Sequence, residues 1–103
     1  MSEEKLKKVT RKPVSFRLGQ LVATPGALAA LSEAGQSPME LVTLHHQGNW
    51  GDEVDKVDWD ANDAALVEGT RLLSAYRTSK GVRIWIITEW DRSVTTILLP
   101  DEY

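Results

Sequence analysis

Residues Arg71–Leu99 read RLLSAYRTSKGVRIWIITEWDRSVTTILL, and the way this run divides decides the fold. Three β-branched and aromatic stretches, RLLSAYR, VRIWIITE and SVTTILL, are separated by TSKG and by WDR. Such side chains pack well on a pleated surface, and short polar gaps of this kind make hairpin turns. The spacing predicts a three-stranded antiparallel meander over residues 71–99. In its middle strand Val82, Ile84, Ile86 and Thr88 alternate with Arg83, Trp85, Ile87 and Glu89. Both sets are largely apolar, so one face is expected to pack on helices and the other to be partly covered.

Upstream of Arg71 the punctuation is helical. In TPGALAALSEAG, Thr24 can cap, Pro25 sits where its missing N–H costs nothing, and Gly35 supplies the stop. In SPMELVTLHHQG, Ser37 is the expected N-cap, Pro38 opens the helix, Glu40 completes a capping box and Gly48 ends it. His45 and His46 then fall in the last turn, where the helix dipole favours imidazolium and predicts a raised pKa. A third helix is expected within VDWDANDAALVEG, capped by Asp58 or Asp60, with Asp63 in its first turn and Gly69 closing it. Before all of these, PVSFRLGQLVA alternates at Val14, Phe16 and Leu18 and carries Leu21 and Val22, which predicts a first strand bent or ended near Gly19. The expected class is α+β, with short helices packed on a small antiparallel sheet whose C-terminal part is the meander.

With 103 residues there is room for one modest core. The expected organisation is a mobile basic arm over residues 1–12 and a single domain over 13–103. Residues 1–17 hold six Lys/Arg against two Glu, and the remainder six against thirteen Asp/Glu. An acidic body argues against a general duplex-DNA binder, because phosphate neutralisation dominates that affinity. The absence of cysteine excludes disulfides, thiolate nucleophiles and Cys-ligated zinc. No apolar run approaches the ~20 residues of a membrane span, and no apolar segment follows the first lysines, so a cytoplasmic protein without membrane contact is expected.

The chemistry-bearing segment is Leu44–Gly69, LHHQGNWGDEVDKVDWDANDAALVEG. A calcium loop starting at Asp58 places Asp63 where Gly must turn the chain and Gly69 where a bidentate Glu is needed, so an EF-hand fails. Adjacent histidines on a helix point ~100° apart, so His45 and His46 cannot both face one ion. No metal and no cofactor are expected. A metal-free ribonuclease is compatible with the residue types: His45 as base or acid, Glu89 as a second acid/base group, and Arg92 to stabilise a pentavalent phosphorane. Ser74, Tyr76, Thr88, Ser93 and Thr95 are further polar residues on or beside strands where packing alone favours Val or Ile. The plainer reading makes Asp91 and Arg92 a turn and Thr95 and Thr96 ordinary strand formers. Of the four tryptophans, Trp85 reads as core. Trp50 and Trp90 sit in short polar turns as partner anchors or as pins that hold the loops, and pinning is the simpler role for Trp50.

LHHQGNWG, WDANDAAL, GTRLLSAY, IWIITEWDRSVTTILLP and the final EY together resemble a family of short, mostly uncharacterised proteins encoded on bacterial plasmids and integrative elements. The resemblance covers residues 16–103, and DRSVTTILLP with EY is its most distinctive part. It implies a mobile-element setting and brings no activity with it. Asn49 stands where the similar proteins often have Asp, which argues against a catalytic carboxylate there. The layout, helices first and meander last, is also similar to small toxin-like ribonucleases, a likeness of fold only. The leading expectation is an accessory protein that binds a protein partner through an acidic surface around Trp50, Asp52, Asp55, Asp58 and Trp90. There it would compete for a basic surface, as an inhibitor of host defence does. The alternative is a metal-independent RNase acting on RNA through His45, Glu89 and Arg92, and a plainer third is an adaptor or homodimer.

Overall fold

A computed structural model describes residues 16–103, so the basic arm expected over residues 1–12, and Val14 of the first strand, lie outside the described residues. The elements in chain order are β1 (Gln20–Ala23), α1 (Pro25–Glu33), α2 (Pro38–His46), α3 (Lys56–Glu68), β2 (Leu72–Arg77), β3 (Arg83–Thr88) and β4 (Val94–Leu98), followed by a 3-10 turn (Pro100–Glu102). The class is α+β. β2, β3 and β4 form the expected antiparallel meander. β1 joins as a fourth strand, parallel to β4, in the order β1-β4-β3-β2.

Local chemistry explains most of the element boundaries. The Thr24 hydroxyl accepts the Ala27 N–H at 3.2 Å to start α1, with Pro25 at its head. Ser37 accepts from Met39 N–H at 3.2 Å to start α2. The expected capping box does not close, because Glu40 accepts instead from the Gln36 side-chain amide at 3.2 Å. α3 begins earlier than the sequence suggests: its cap is Asp55, whose carboxylate accepts the Asp58 N–H at 2.8 Å, and Asp58 falls in the first turn. At Gly19 the backbone adopts φ +68° and a Cβ would collide with the Ser93 carbonyl, so the chain enters β1 through a bend that only Gly fits.

All three helices lie on one face of the sheet. Cross-strand register aligns Leu72, Thr88, Thr95 and Leu21 in one row and Ser74, Ile86, Ile97 and Ala23 in the next. Ile84, Ile86, Ile97 and Tyr76 on this face pack against Ala27, Leu31, Leu41 and Val42 of α1 and α2. Beside them, Leu72 packs with Trp50 and Ala65, and Phe16, Val54, Trp59 and Leu66 close this second cluster. Each fully buried Leu or Ile contributes ~1.5–3 kcal/mol relative to exposure. The opposite face carries Leu73, Ile87 and Thr96 in one row and Ala75, Trp85 and Leu98 in another. Tyr103 covers part of it, packed edge-on against Trp85 with the ring centroids 5.9 Å apart. No helix among the described residues is long and apolar enough to cross a membrane.

Candidate functional site

His45 is fully buried on the inner face of α2, with both ring nitrogens bonded to strand hydroxyls. Nδ1 lies 2.5 Å from Ser74 Oγ and Nε2 lies 2.8 Å from Thr88 Oγ1. Thr88 Oγ1 is 2.7 Å from Thr95 Oγ1, and Thr95 donates its hydroxyl proton to the Leu18 carbonyl at 2.6 Å. Each hydroxyl has one proton, so the last bond orients all the others. Thr95 spends its proton on Leu18 and must accept from Thr88. Thr88 must then accept from His45, which places the ring proton on Nε2 and leaves Nδ1 to accept from Ser74. The result is a one-way chain of hydrogen bonds, from Ser74 through the imidazole to Leu18.

That chain corrects the electrostatic expectation for His45. The helix dipole favours a proton, but burial opposes the charged form more strongly, and the positive charges of His46 and Arg92 add to it. The His45 pKa falls from 6.5 to about 3. A neutral ring with every nitrogen occupied, sealed under Phe16 (ring centroids 5.6 Å apart) and beside Trp50 (5.5 Å), is a core residue. His46, one position on, turns outward, and its Nε2–H donates to the Phe16 carbonyl at 3.0 Å. The two histidines diverge as helix geometry requires.

Arg92 is the one non-Gly residue at positive φ among the described residues (59°), and its guanidinium is spent on backbone. It donates to the carbonyls of Thr70 (2.6 Å), Ala65 (3.1 Å) and Glu89 (3.2 Å) and lies over the Phe16 ring, 5.9 Å from its centroid. It therefore ties the β3–β4 turn to the C-terminal end of α3. Glu89 follows Thr88 in the chain, and since Thr88 faces His45, alternation turns Glu89 to the other face of the sheet. His45, Glu89 and Arg92 do not share a cleft. The ribonuclease arrangement expected of them is not assembled, because the base is sealed and the cation is engaged by three carbonyls.

The expected acidic patch is also divided. Trp50 is fully buried and its indole N–H donates to Asp63 Oδ1 at 3.0 Å, so it pins the loop and is closed to a partner. The Trp50 carbonyl accepts from Ala75 N–H at 2.9 Å, and the Asn49 carbonyl accepts from the Tyr76 hydroxyl at 2.5 Å. Gly51 follows at φ +98° against the Ala75 carbonyl, where a Cβ would collide. Burial raises the Tyr76 pKa, so the phenol stays a donor. Asp55 is committed to capping α3, while Asp52 and Asp58 are exposed at that same end of the helix. Trp90, 65% exposed, sits in the turn that Arg92 fastens to the opposite end, about 20 Å away along thirteen helical residues.

What the structure does place together is the outer face of α3, which sequence reading missed. Val57 (75% exposed) and Val67 (88%) share it with the exposed Ala61 and Ala64, and Asp60 and Glu68 interleave with them. The signal is present in KVDWDANDAALVE as two apolar stripes on one helix. Trp59, Ala65 and Leu66 form the inner stripe, and Val57, Ala61, Ala64 and Val67 the outer, at helical spacing. No protein-family model, curated protein or solved structure matches this chain.

Proposed function

We propose that this chain is a binding protein whose partner-facing surface is the outer face of α3, adjoined at its C-terminal end by the β3–β4 turn with Trp90. The observation that carries this reading is Val67, 88% exposed on a helix whose other side is locked into the core by Trp59, Ala65 and Leu66. Exposed apolar residues on a rigid element, rimmed by charge, are what a docking surface needs. Asp58, Glu68 and Asp60, the last paired with Lys56 at 3.1 Å, leave that rim net negative, which suits a partner presenting basic residues around an apolar groove. Competition for such a basic surface, in a mobile-element setting and as an inhibitor of host defence, extends the reading. That extension rests on the sequence resemblance of residues 16–103 alone.

The test is a pull-down from a bacterial lysate with three baits: wild type, Ala64→Arg, and the pair Asp60→Lys, Glu68→Lys. All three positions are exposed, so the variants keep the fold, which a melting curve verifies. The reading expects a basic protein retained by wild type, released by salt and lost from both variants. Identical retention on all three baits refutes the α3 face as the contact.

A further inference from the structure

The two edges of the sheet differ in a way that points to self-association. At the β2 edge the outward backbone groups of Leu73 and the N–H of Ala75 are occupied. Leu73 N–H donates to Asn62 Oδ1 at 3.1 Å, Asn62 Nδ2 donates to the Leu73 carbonyl at 2.6 Å, and Ala75 N–H donates to the Trp50 carbonyl. A side-chain amide and a loop carbonyl thus stand where another strand would add, which is how proteins blunt an edge.

At the β1 edge nothing among the described residues does this. Gln20 N–H donates to Ser93 O at 2.9 Å and Thr24 N–H to Ile97 O at 3.0 Å. In a parallel pair alternate residues turn both backbone groups to the neighbour, so Gln20, Val22 and Thr24 face β4, and Leu21 and Ala23 face outward. The strand, QLVA, has no charge and no proline. Leu21 (40% exposed) and Val22 (38%) stand on its two sides, and Leu28 of α1 (45%) lies close by in the chain.

We propose that β1 pairs antiparallel with β1 of a second copy about a twofold axis at Val22, which makes one eight-stranded sheet. In this register Leu21 of each chain lies opposite Ala23 of the other. All outward donors and acceptors of both strands are then used in two hydrogen-bonded pairs, and the two Val22 side chains meet on the axis. The antiparallel sense brings Arg17, at the entry to β1, toward the exit of the other strand. There Glu102 accepts from the Thr24 hydroxyl and Asp101 is exposed, so opposite charges meet. The exposed acidic residues of α3 lie at the far edge, beside β2, and do not oppose the approach. The dimer is closed, because both remaining edges are β2 edges blocked at Leu73 and Ala75. A four-residue strand with one flanking helix residue falls short of the ~800 Å² per partner of a standard interface, so association is weak and depends on concentration.

The test combines sedimentation velocity across a concentration series with amide hydrogen exchange on the full chain. Wild type is expected to dimerise with concentration. Leu21 and Ala23 amides should gain protection in step, while Gln20 and Val22 amides are protected throughout. Val22→Lys and Val22→Glu should each weaken dimerisation roughly fivefold or more, because like charges then meet on the axis, and an equimolar mixture of the two should recover it. Wild-type melting temperatures for both variants would show that the fold is intact. A chain monomeric at every concentration overturns the proposal, as does a dimer indifferent to both substitutions or a mixture no tighter than its parts. Protection of Leu21 and Ala23 that does not vary with concentration would mean that the chain covers its own edge, and it overturns the proposal equally.

Discussion

Acidification from pH about 7 to about 4.5 should remove close to 3 kcal/mol of stability through His45 alone. In the unfolded chain an imidazole takes up its proton as pH falls through 6.5, whereas the buried ring holds out to about 3. Between those values the unfolded state binds more protons than the folded one. The stability linked to His45 is therefore complete above about 6.5 and declines as pH falls toward 3. Two units of that gap are crossed by pH 4.5, at 1.36 kcal/mol per unit, which gives about 3 kcal/mol. That is a large part of the ~5–15 kcal/mol that holds a domain of this size. Asp91 and Glu102 act with the same sign but lower down. Bonds from Ser93 to Asp91, and from Thr24 and Leu99 N–H to Glu102, depress their pKa values, so their contribution fades only below the ordinary carboxylate range. The assay is urea denaturation of wild type and His45→Gln at both pH values. The variant should be weaker at neutral pH yet lose about 3 kcal/mol less on acidification. NMR of the wild-type ring provides a check that needs no variant: His45 should remain in the Nε2–H tautomer, without titrating, down to pH about 4.5. A ring that titrates near 6.5, or equal acid losses in the two proteins, refutes the reasoning.

Four other outcomes follow from the same geometry. Thr88→Val removes the acceptor of His45 Nε2–H and the donor to Thr95 in one change, and should cost about 2–3 kcal/mol by chemical denaturation. Arg92→Ala should cost about 1–3 kcal/mol, since it releases three carbonyls. Arg92→Gly should be about 1 kcal/mol less damaging in melting experiments, because glycine accepts φ 59° without strain. Asn62→Leu should unseal the β2 edge, and light scattering should then show assemblies that grow beyond dimers as concentration rises.

The meander was legible because each strand announces itself by local alternation, and the Ile84, Ile86 and Thr88 face follows from a period of two. α1 and α2 were legible through Thr24, Pro25, Ser37 and Pro38, whose capping chemistry is local. The start of α3 was not, because Asp55, Asp58 and Asp60 all suit a cap. The choice is made by which carboxylate reaches a backbone N–H, and Asp55 reaches that of Asp58. The parallel partnership of β1 with β4 has no local signature, since it depends on strands far apart in the chain. His45 shows the same division. Its place in the last turn of α2 could be read directly, and Ser74, Thr88 and Thr95 stood out as hydroxyls where packing favours Val or Ile. That these four residues form one buried chain is a product of strand register, which the sequence pattern does not encode.

The pairing of β1 with β4 also has a consequence for how the protein is made. Thr95 donates to the carbonyl of Leu18, 77 positions earlier, and the β1 ladder runs entirely through β4. A chain leaving the ribosome presents β1 well before Val94–Leu98, so β1 stays unpartnered until β4 has followed it out. No nascent intermediate lacking β4 can complete the hydroxyl relay around His45. Assembly is thus deferred until β4 has emerged, and contacts closed over so long a loop form slowly. During that wait QLVA is an uncharged strand without its partner, one of the segments through which a nascent chain can associate wrongly.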